Sequence, residues 1–393
     1  MYQHVLIAFG GASPEHEVSV ISAMQAASAL KDSGLELLPL YVTKSGRFLT
    51  GPQLLELESY KDLKTLEQTA LPCAFQTDAM GRTVLTETRK GGLFSKPKSW
   101  PVDVVLVAFH GAEGENGAFQ GLCEQYNLPY TGSGVMASSV GMDKKAAKIM
   151  AVSCGVPVVE GIDFREYEWV AGRDTLLEQL LALDSTVVVK PMQLGSSIGV
   201  EVVSGREPLI RAIETGFRYD ARLLVEKAVR PLREVNCAVL GNGADAQASV
   251  CEQPKGAEEL LSFQDKYMGD AGKGMASASR IIPAPISDEL TTAIQQASLK
   301  LFRELGAAGV ARFDFLVNDT SGKFYFNEIN TIPGSFSFYL WDKSGVSFPQ
   351  LMTKLLDIAV ARHREKNGRV RSYDTNLLST KAVKGIKGLK GKG

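Results

Sequence analysis

The stretch 4-HVLIAFGGASPEHEVSVISAMQAASALKDSG-34 passes from an apolar run through two glycines into a helical pattern. The run 4-HVLIAF-9 predicts a strand, and 18-VSVISAMQAASALKDSG-34 predicts a helix closed by Gly34. Two further strands follow in 36-ELLPLYV-42 and 103-DVVLVAF-109. The second of these is almost wholly apolar, as a parallel strand buried on both faces must be. Strands alternating with a helix predict an open α/β sheet. Residues 70–100 carry Gly, Pro and Lys with little periodicity, and read as an inserted surface segment with a hairpin. At the first strand-to-helix turn, Gly10 and Gly11 permit a tight bend, and Ser13 and Pro14 suit a helix cap and first turn. Glu17 favours the helix N-terminus, and His16 is expected to support the turn.

The chain has 393 residues, enough for two or three domains. It is 45% hydrophobic and 22% charged, which is ordinary for a globular protein. A formal net charge of -1 argues against electrostatic nucleic-acid binding. No apolar run approaches a membrane span, and no signal peptide is recognisable, so the expectation is a cytoplasmic protein with neither nucleic-acid nor membrane partners. The 5 cysteines (Cys73, Cys123, Cys154, Cys237 and Cys251) are scattered and form no CxxC pair. They read as small buried hydrophobes, not as disulfides or zinc ligands. Only 4 histidines are present, too few for a His-rich metal site.

Beyond 143-DKKAAKIMAVSCGVPVVEG-161 the pattern changes to short strands and helices. Strand 186-TVVVK-190 leads into a glycine-serine loop, 195-GSSIGV-200, and 223-LLVEKAV-229 leads into 234-EVNCAVLG-241. The last third holds strands 309-GVARFDFLV-317 and 324-FYFNEIN-330, then a helix, 348-FPQLMTKLLDIAVARHRE-365. The tail 366–393 is basic and rich in Gly and Lys, a composition expected of disorder.

Two strands stand out chemically. Arg312 and Asp314 are two apart, as are Glu328 and Asn330, so each pair shares a strand face. If the strands are neighbours, one face collects oxygen ligands of the kind Mg²⁺ prefers, beside an arginine suited to a phosphoryl group. Spacing alone favours the plainer account, polar positions on the wet face of an antiparallel sheet. The loop after Lys190 turns backbone N–H groups and hydroxyls toward an anion, or is simply a hairpin turn; it is not a Walker A loop. His110 ends an apolar strand, where open α/β sheets place ligands, although loop backbone groups could equally hold it.

Taken together, these stretches resemble the D-alanine–D-alanine ligases of the ATP-grasp superfamily. The matching pieces are GGASPEHEVSVISA, HGAEGENGAFQGLCEQYNLPYTGSGVMASSVGMDKKAAK, VVVKPMQLGSSIGV, VEKAV with REVN, ARFDFLV and NEINTIPG. They occur in the family's order over most of residues 4–360. The resemblance implies an α/β (α+β), three-domain ATP-grasp ligase: an N-terminal open parallel α/β sheet domain over 1–141, a central subdomain over 142–225 and a C-terminal subdomain over 226–365. It implies ATP, with Mg²⁺ or alternatively Mn²⁺, and an acyl-phosphate route that feeds peptidoglycan synthesis.

The resemblance also implies roles. Lys144 and Lys190 match lysines on the ATP phosphates. Glu226, Lys227 and Val229 match the adenine hinge, and Glu234 matches the acid on the ribose. Asp314, Glu328 and Asn330 match the Mg²⁺ ligands, and Arg312 the arginine that stabilises the tetrahedral oxyanion. Glu15 would hold the first D-alanine's ammonium, with His110 near its carboxylate. Ser196 and Tyr267 would join Glu15 in a hydrogen-bonded group under a lid at 261-LSFQDKYMGD-270. Tyr267 favours an amine over a hydroxy acid as second substrate. Family members are often homodimers.

Two departures touch the second-substrate site. The family's Thr/Ser-rich stretch is here 335-SFSFYLW-341, with either Ser335 or Ser337 in place of the usual serine, and 262-SFQDKYM-268 lacks the usual tyrosine-rich lead-in. Asn116 also stands where an aspartate is common. The alternative is therefore an ATP-grasp ligase that joins D-alanine to another amine acceptor, such as D-serine. A non-catalytic nucleotide-binding protein would have lost the metal ligands or Arg312, and all are present.

Overall fold

A computed structural model describes residues 2–88, 97–254 and 280–371. Three sheets organise the described residues. The first contains β1 (His4–Gly10), β2 (Glu36–Val42), β3 (Phe48–Thr50), β4 (Leu71–Thr77), β5 (Thr83–Glu87), β6 (Ser99–Pro101) and β7 (Val104–Val107), in the order β6-β5-β4-β3-β2-β1-β7. β1 runs parallel to both β2 and β7, so its backbone is paired on both edges. Its residues Val5 to Phe9 are completely buried, which is why that strand reads as a continuous apolar run. The segment expected as a surface insertion instead extends this sheet. β3, β4, β5 and β6 pair antiparallel beyond β2, and Phe75 and Leu85 are buried there.

The turn after β1 requires glycine. Gly10 has φ +94, and a Cβ there would sit 2.2 Å from Val42 O. The helix begins at His16 and ends at Leu30. Ser13 accepts from Glu15 N through its hydroxyl (3.0 Å), and its carbonyl accepts from His16 N (3.2 Å). His16 does support the turn: Nδ1–H donates to Gly11 O at 2.7 Å, and Nε2 meets the Tyr41 hydroxyl at 3.0 Å.

The second sheet has the order β10-β9-β11-β8 and is antiparallel: β8 (Gly161–Arg165), β9 (Thr186–Pro191), β10 (Glu201–Ser204) and β11 (Arg222–Lys227). Its core includes Trp169 and Leu177 of the helix Glu166–Leu183, and Leu209 and Ile213 of the helix Arg206–Gly216. The third sheet has the order β14-β13-β12-β15-β16: β12 (Leu232–Asn242), β13 (Gln247–Pro254), β14 (Arg280–Ile281), β15 (Ala308–Asn318) and β16 (Phe324–Asn330). The helix Asp288–Glu304 covers it through Ile294, Leu301 and Phe302.

The helix Phe348–Asn367 buries Leu351, Leu355 and Leu356 in the same apolar core as β1 and β7, together with Leu240 and Val310 of the third sheet. The first and third sheets are thereby fastened into one body, and the second sheet faces them with a core of its own. All five cysteines are buried and unpaired. No helix among the described residues is long and apolar enough to cross a membrane.

Candidate active site

The loops after β1 and β7 open on the same side of the first sheet, as parallel neighbours require. Ser19 ties them together: its hydroxyl accepts from Gly10 N and donates to Ala108 O, both at 2.8 Å. Glu15 is 8% exposed and lines a cavity of about 140 Å³. Gly111 lets the second loop approach it, since a Cβ there would lie 2.8 Å from Glu15 Oε2. From the loop between β9 and β10, Ser196 donates its hydroxyl proton to Glu15 Oε1. Ser196 and Ser197 take positive φ (53 and 59), a left-handed turn that carries their side chains to this cavity.

His110 is buried on the same wall, with Nε2 at 2.8 Å from the Ser22 hydroxyl. Burial drives its imidazole down to a pKa of about 4, so it is neutral near pH 7. Beside it stands Glu115, which the sequence motif contains but which received no role. Its carboxylate accepts from Gly111 N at 3.0 Å and from Ile332 N at 3.2 Å, bridging the first sheet to the loop after β16. Burial, reinforced by the charge of Glu15, pushes Glu115 up to about 7.

The third sheet supplies a row of polar side chains. Asn236 faces Glu252 on one side and Asp314 on the other, and Asp314 faces Glu328. Facing residues of antiparallel strands share a face, so the spacing argument from sequence acquires its missing register. Arg312 faces Asn330 and donates two bonds to Asp314, Nε to Oδ1 and Nη2 to Oδ2, each 2.7 Å. Asn330 Nδ2 donates to Asp314 Oδ2 at 3.1 Å. Burial raises the Asp314 carboxyl against the pull of Arg312. No group of three His, Cys, Asp or Glu side chains among the described residues is arranged to hold a metal ion. The set under consideration has two carboxylates and an amide. It is oxygen-only once the Asn330 amide is turned over, its carboxylates face each other, and the burial of Asp314 favours a neutralising cation.

A larger cleft of about 700 Å³ lies between the second and third sheets. Its walls include Lys144, Lys190, Lys227, Val229, Glu234 and Glu328. Lys144 opens the helix Lys144–Ser153, donates to Leu194 O, and lies 3.6 Å from Glu328. Lys227 pairs with Glu160. Glu226 behaves differently from its hinge neighbours. Its carboxylate is 1% exposed and pairs with Lys190 at 2.6 Å and with Lys148 at 2.7 Å. Lys190 also donates to Asn327 Oδ1 at 2.8 Å. Burial opposes the Glu226 charge, but Lys190 and Lys148 outweigh it and hold the carboxyl below its ordinary range. Lys148 is a second residue without a sequence-assigned role. A helix lysine four residues after Lys144 was the available signal. Tyr267, like the rest of the expected lid, lies outside the described residues.

The two cavities share Ser197, Glu234, Leu316, Asn327 and Glu328. The lysine-lined cleft and the small acid- and arginine-lined pocket therefore meet at the Asp314–Glu328 row. That geometry suits transfer of a phosphoryl group from a long ligand in the cleft to a small one in the pocket.

Two family models match the chain, the D-ala D-ala ligase N-terminus over residues 4–133 and the D-ala D-ala ligase C-terminus over residues 150–357. The chain belongs to the D-alanine–D-alanine ligase family. Among similar relatives of that family is the D-alanine–D-alanine ligase of Thermosipho melanesiensis, 35% identical over 96% of this chain and 99% of that one. The D-alanine–D-alanine ligase of Chlorobium chlorochromatii is 36% identical over 91% and 97%. Among solved structures, the D-alanine–D-alanine ligase of Coxiella burnetii superposes with a TM-score of 0.77 at 30% identity, covering 93% of this chain and 96% of that one. The VanG D-Ala:D-Ser ligase of Enterococcus faecalis superposes with a TM-score of 0.75 at 25% identity, covering 91% and 100%. Solved structures of the D-alanine–D-alanine ligase family thus share this ATP-grasp architecture.

Proposed function

We propose that this chain activates the carboxylate of one D-alanine with ATP and joins it to the amine of a second, supplying a peptidoglycan precursor. The observation that carries this is the junction of the two cavities at Asp314 and Glu328, with Arg312 beside it. ATP occupies the larger cleft, with its phosphates on Lys144 and Lys190, its adenine near Lys227 and Val229, and its ribose near Glu234. Glu226 acts there through the lysines, fixing Lys190 from behind. Asp314, Glu328 and Asn330 would hold Mg²⁺, which would supply positive charge to offset that of the phosphates.

In the small pocket, Glu15 receives the first D-alanine's ammonium, and Ser196 holds the Glu15 carboxylate in place. His110 is neutral and adds no positive charge to oppose the ammonium. One carboxylate oxygen of that D-alanine attacks the γ-phosphorus, and ADP leaves. The second D-alanine's amine attacks the acyl carbon, inorganic phosphate departs with the bridging oxygen, and the amine loses a proton. Arg312 stabilises the negative charge on the tetrahedral oxygen.

This account carries three domains divided near residues 141 and 225, a basic tail over 366–393, a cytoplasmic location where ATP is available, and a homodimer. A second version keeps D-alanine as donor and takes D-serine or another amino acid as acceptor. It is favoured by the altered acceptor end of the pocket, where Tyr339 and Arg280 form the wall and Ser335 and Ser337 do not. Purified protein with ATP, Mg²⁺ and D-alanine is expected to release phosphate and form the dipeptide in equal amounts. Phosphate release only when another amino acid accompanies D-alanine would overturn the first version.

A further inference from the structure

The acceptor end of the small pocket is built from residues that the family resemblance does not assign. After Gly334, Ser335, Phe336 and Ser337 take positive φ (51, 56 and 50). This left-handed turn buries both serines, at 1% and 0% exposure, and neither lines the pocket. Tyr339 lines it instead. The guanidinium of Arg280, from β14, lies over the Tyr339 ring with Cζ 3.6 Å from the centroid. Its Nη1 donates to Glu252 Oε2 at 3.1 Å. Glu252 Oε1 accepts from the Tyr339 hydroxyl at 3.1 Å and from Asn236 Nδ2 at 3.2 Å. Glu252 is the buried hub that fixes both the plane and the edge of the guanidinium.

Apart from neutral His110, two basic side chains among the described residues line this pocket, Arg280 and Arg312. Arg312 is forked onto Asp314 and belongs to the reacting end. An amino-acid acceptor brings a carboxylate into a pocket also lined by Glu15, Glu115, Glu234 and Glu252, and it needs a cation there. Arg280 has the right chemistry for it: planar, half-buried, and pre-oriented by stacking and by Glu252.

We infer that Arg280, held by Glu252 and Tyr339, binds the carboxylate of the second amino acid and makes a free carboxylate a condition for acceptance. This rests on the ligase reading above. Stacking on Tyr339 sets how far the acceptor's carboxylate sits from Arg312, and so where its amine meets the acyl carbon. The positioning does not involve Ser335 or Ser337.

The test compares D-alanine with D-alaninamide as acceptor, an analogue that keeps the amine and lacks the negative charge. The unmodified enzyme should prefer D-alanine by about 100-fold in kcat/KM, the scale for losing a hydrogen bond to a charged group. Arg280→Gln should raise the acceptor's KM, leave the donor's KM unchanged, and reduce the preference for D-alanine over the amide to less than about tenfold. Arg280→Lys should restore part of that preference, because it keeps the charge. A purely structural role would slow both acceptors equally and leave the ratio intact, and that outcome overturns the inference. Equal use of both acceptors by the unmodified enzyme also overturns it, independently of whether any variant folds. Absence of all ATP-dependent dipeptide synthesis would instead count against the ligase reading itself.

Discussion

Asp314 and Glu328 occupy facing positions on neighbouring antiparallel strands, and that register puts two carboxylates on one face of the third sheet. The larger cleft and the smaller pocket meet at this face. The position explains why the row must be acidic there and yet bordered by Lys144 and Arg312.

Replacing Glu328 with Gln removes one of the two carboxylates proposed to hold Mg²⁺, without changing volume. Turnover should fall by about 100-fold or more, the scale for losing a preorganised electrostatic contact, while thermal unfolding stays near that of the parent. Unchanged turnover across a Mg²⁺ titration would remove Glu328 from the metal set.

Glu15→Gln should weaken the first D-alanine selectively. Loss of the charge-assisted contact to its ammonium should raise the donor's KM by about 10- to 100-fold, with the KM for ATP unaffected. Initial-rate kinetics at saturating ATP separate the two constants, and an equal rise in both would place Glu15 elsewhere.

Glu226 is expected to matter for stability as much as for nucleotide binding. Breaking a buried pair by removing one partner costs about 3–5 kcal/mol, so Glu226→Ala, which leaves Lys148 and Lys190 facing each other, should lower the urea midpoint substantially. A midpoint within error of the parent would mean that the lysines find other partners.

Glu115 gives a pH signature. Its carboxyl is raised from 4.5 to about 7 in the folded protein, so folding binds protons across that interval. The favourable contribution is complete below the ordinary carboxylate range and is lost as pH rises through about 7. Glu115→Gln removes this dependence. Relative to the parent, the variant should therefore gain stability as pH rises, by up to about 3 kcal/mol over the whole interval. His110, lowered to about 4, has the opposite slope in both proteins, so the difference between them isolates Glu115. Parallel urea-unfolding curves at every pH would show that Glu115 ionises normally.

Much of this site is legible in the sequence. The apolar runs of β1 and β7 announced a strand buried on both faces, and period-two spacing put Arg312 with Asp314 and Glu328 with Asn330. What spacing could not supply was which strands adjoin. The Glu252–Asn236–Asp314–Glu328 row depends on the pairing of β13, β12, β15 and β16. Lys148 was hidden for a similar reason: it lies on a helix, and its partner Glu226 lies on β11, far along the chain. The hairpin of β4 and β5 was expected, but its joining to the first sheet was not, because antiparallel edge strands with Gly, Pro and polar residues carry little periodicity. Arg280 gained its place only through stacking on Tyr339, far along the chain.

The most direct test of the acyl-phosphate route follows oxygen. D-alanine labelled with ¹⁸O in its carboxylate is incubated with the enzyme, ATP and Mg²⁺, and the released inorganic phosphate is analysed by mass spectrometry. Because a donor carboxylate oxygen attacks phosphorus and the acyl C–O bond later breaks, one labelled oxygen should appear in phosphate for each dipeptide formed. Dipeptide formation with unlabelled phosphate would contradict the account.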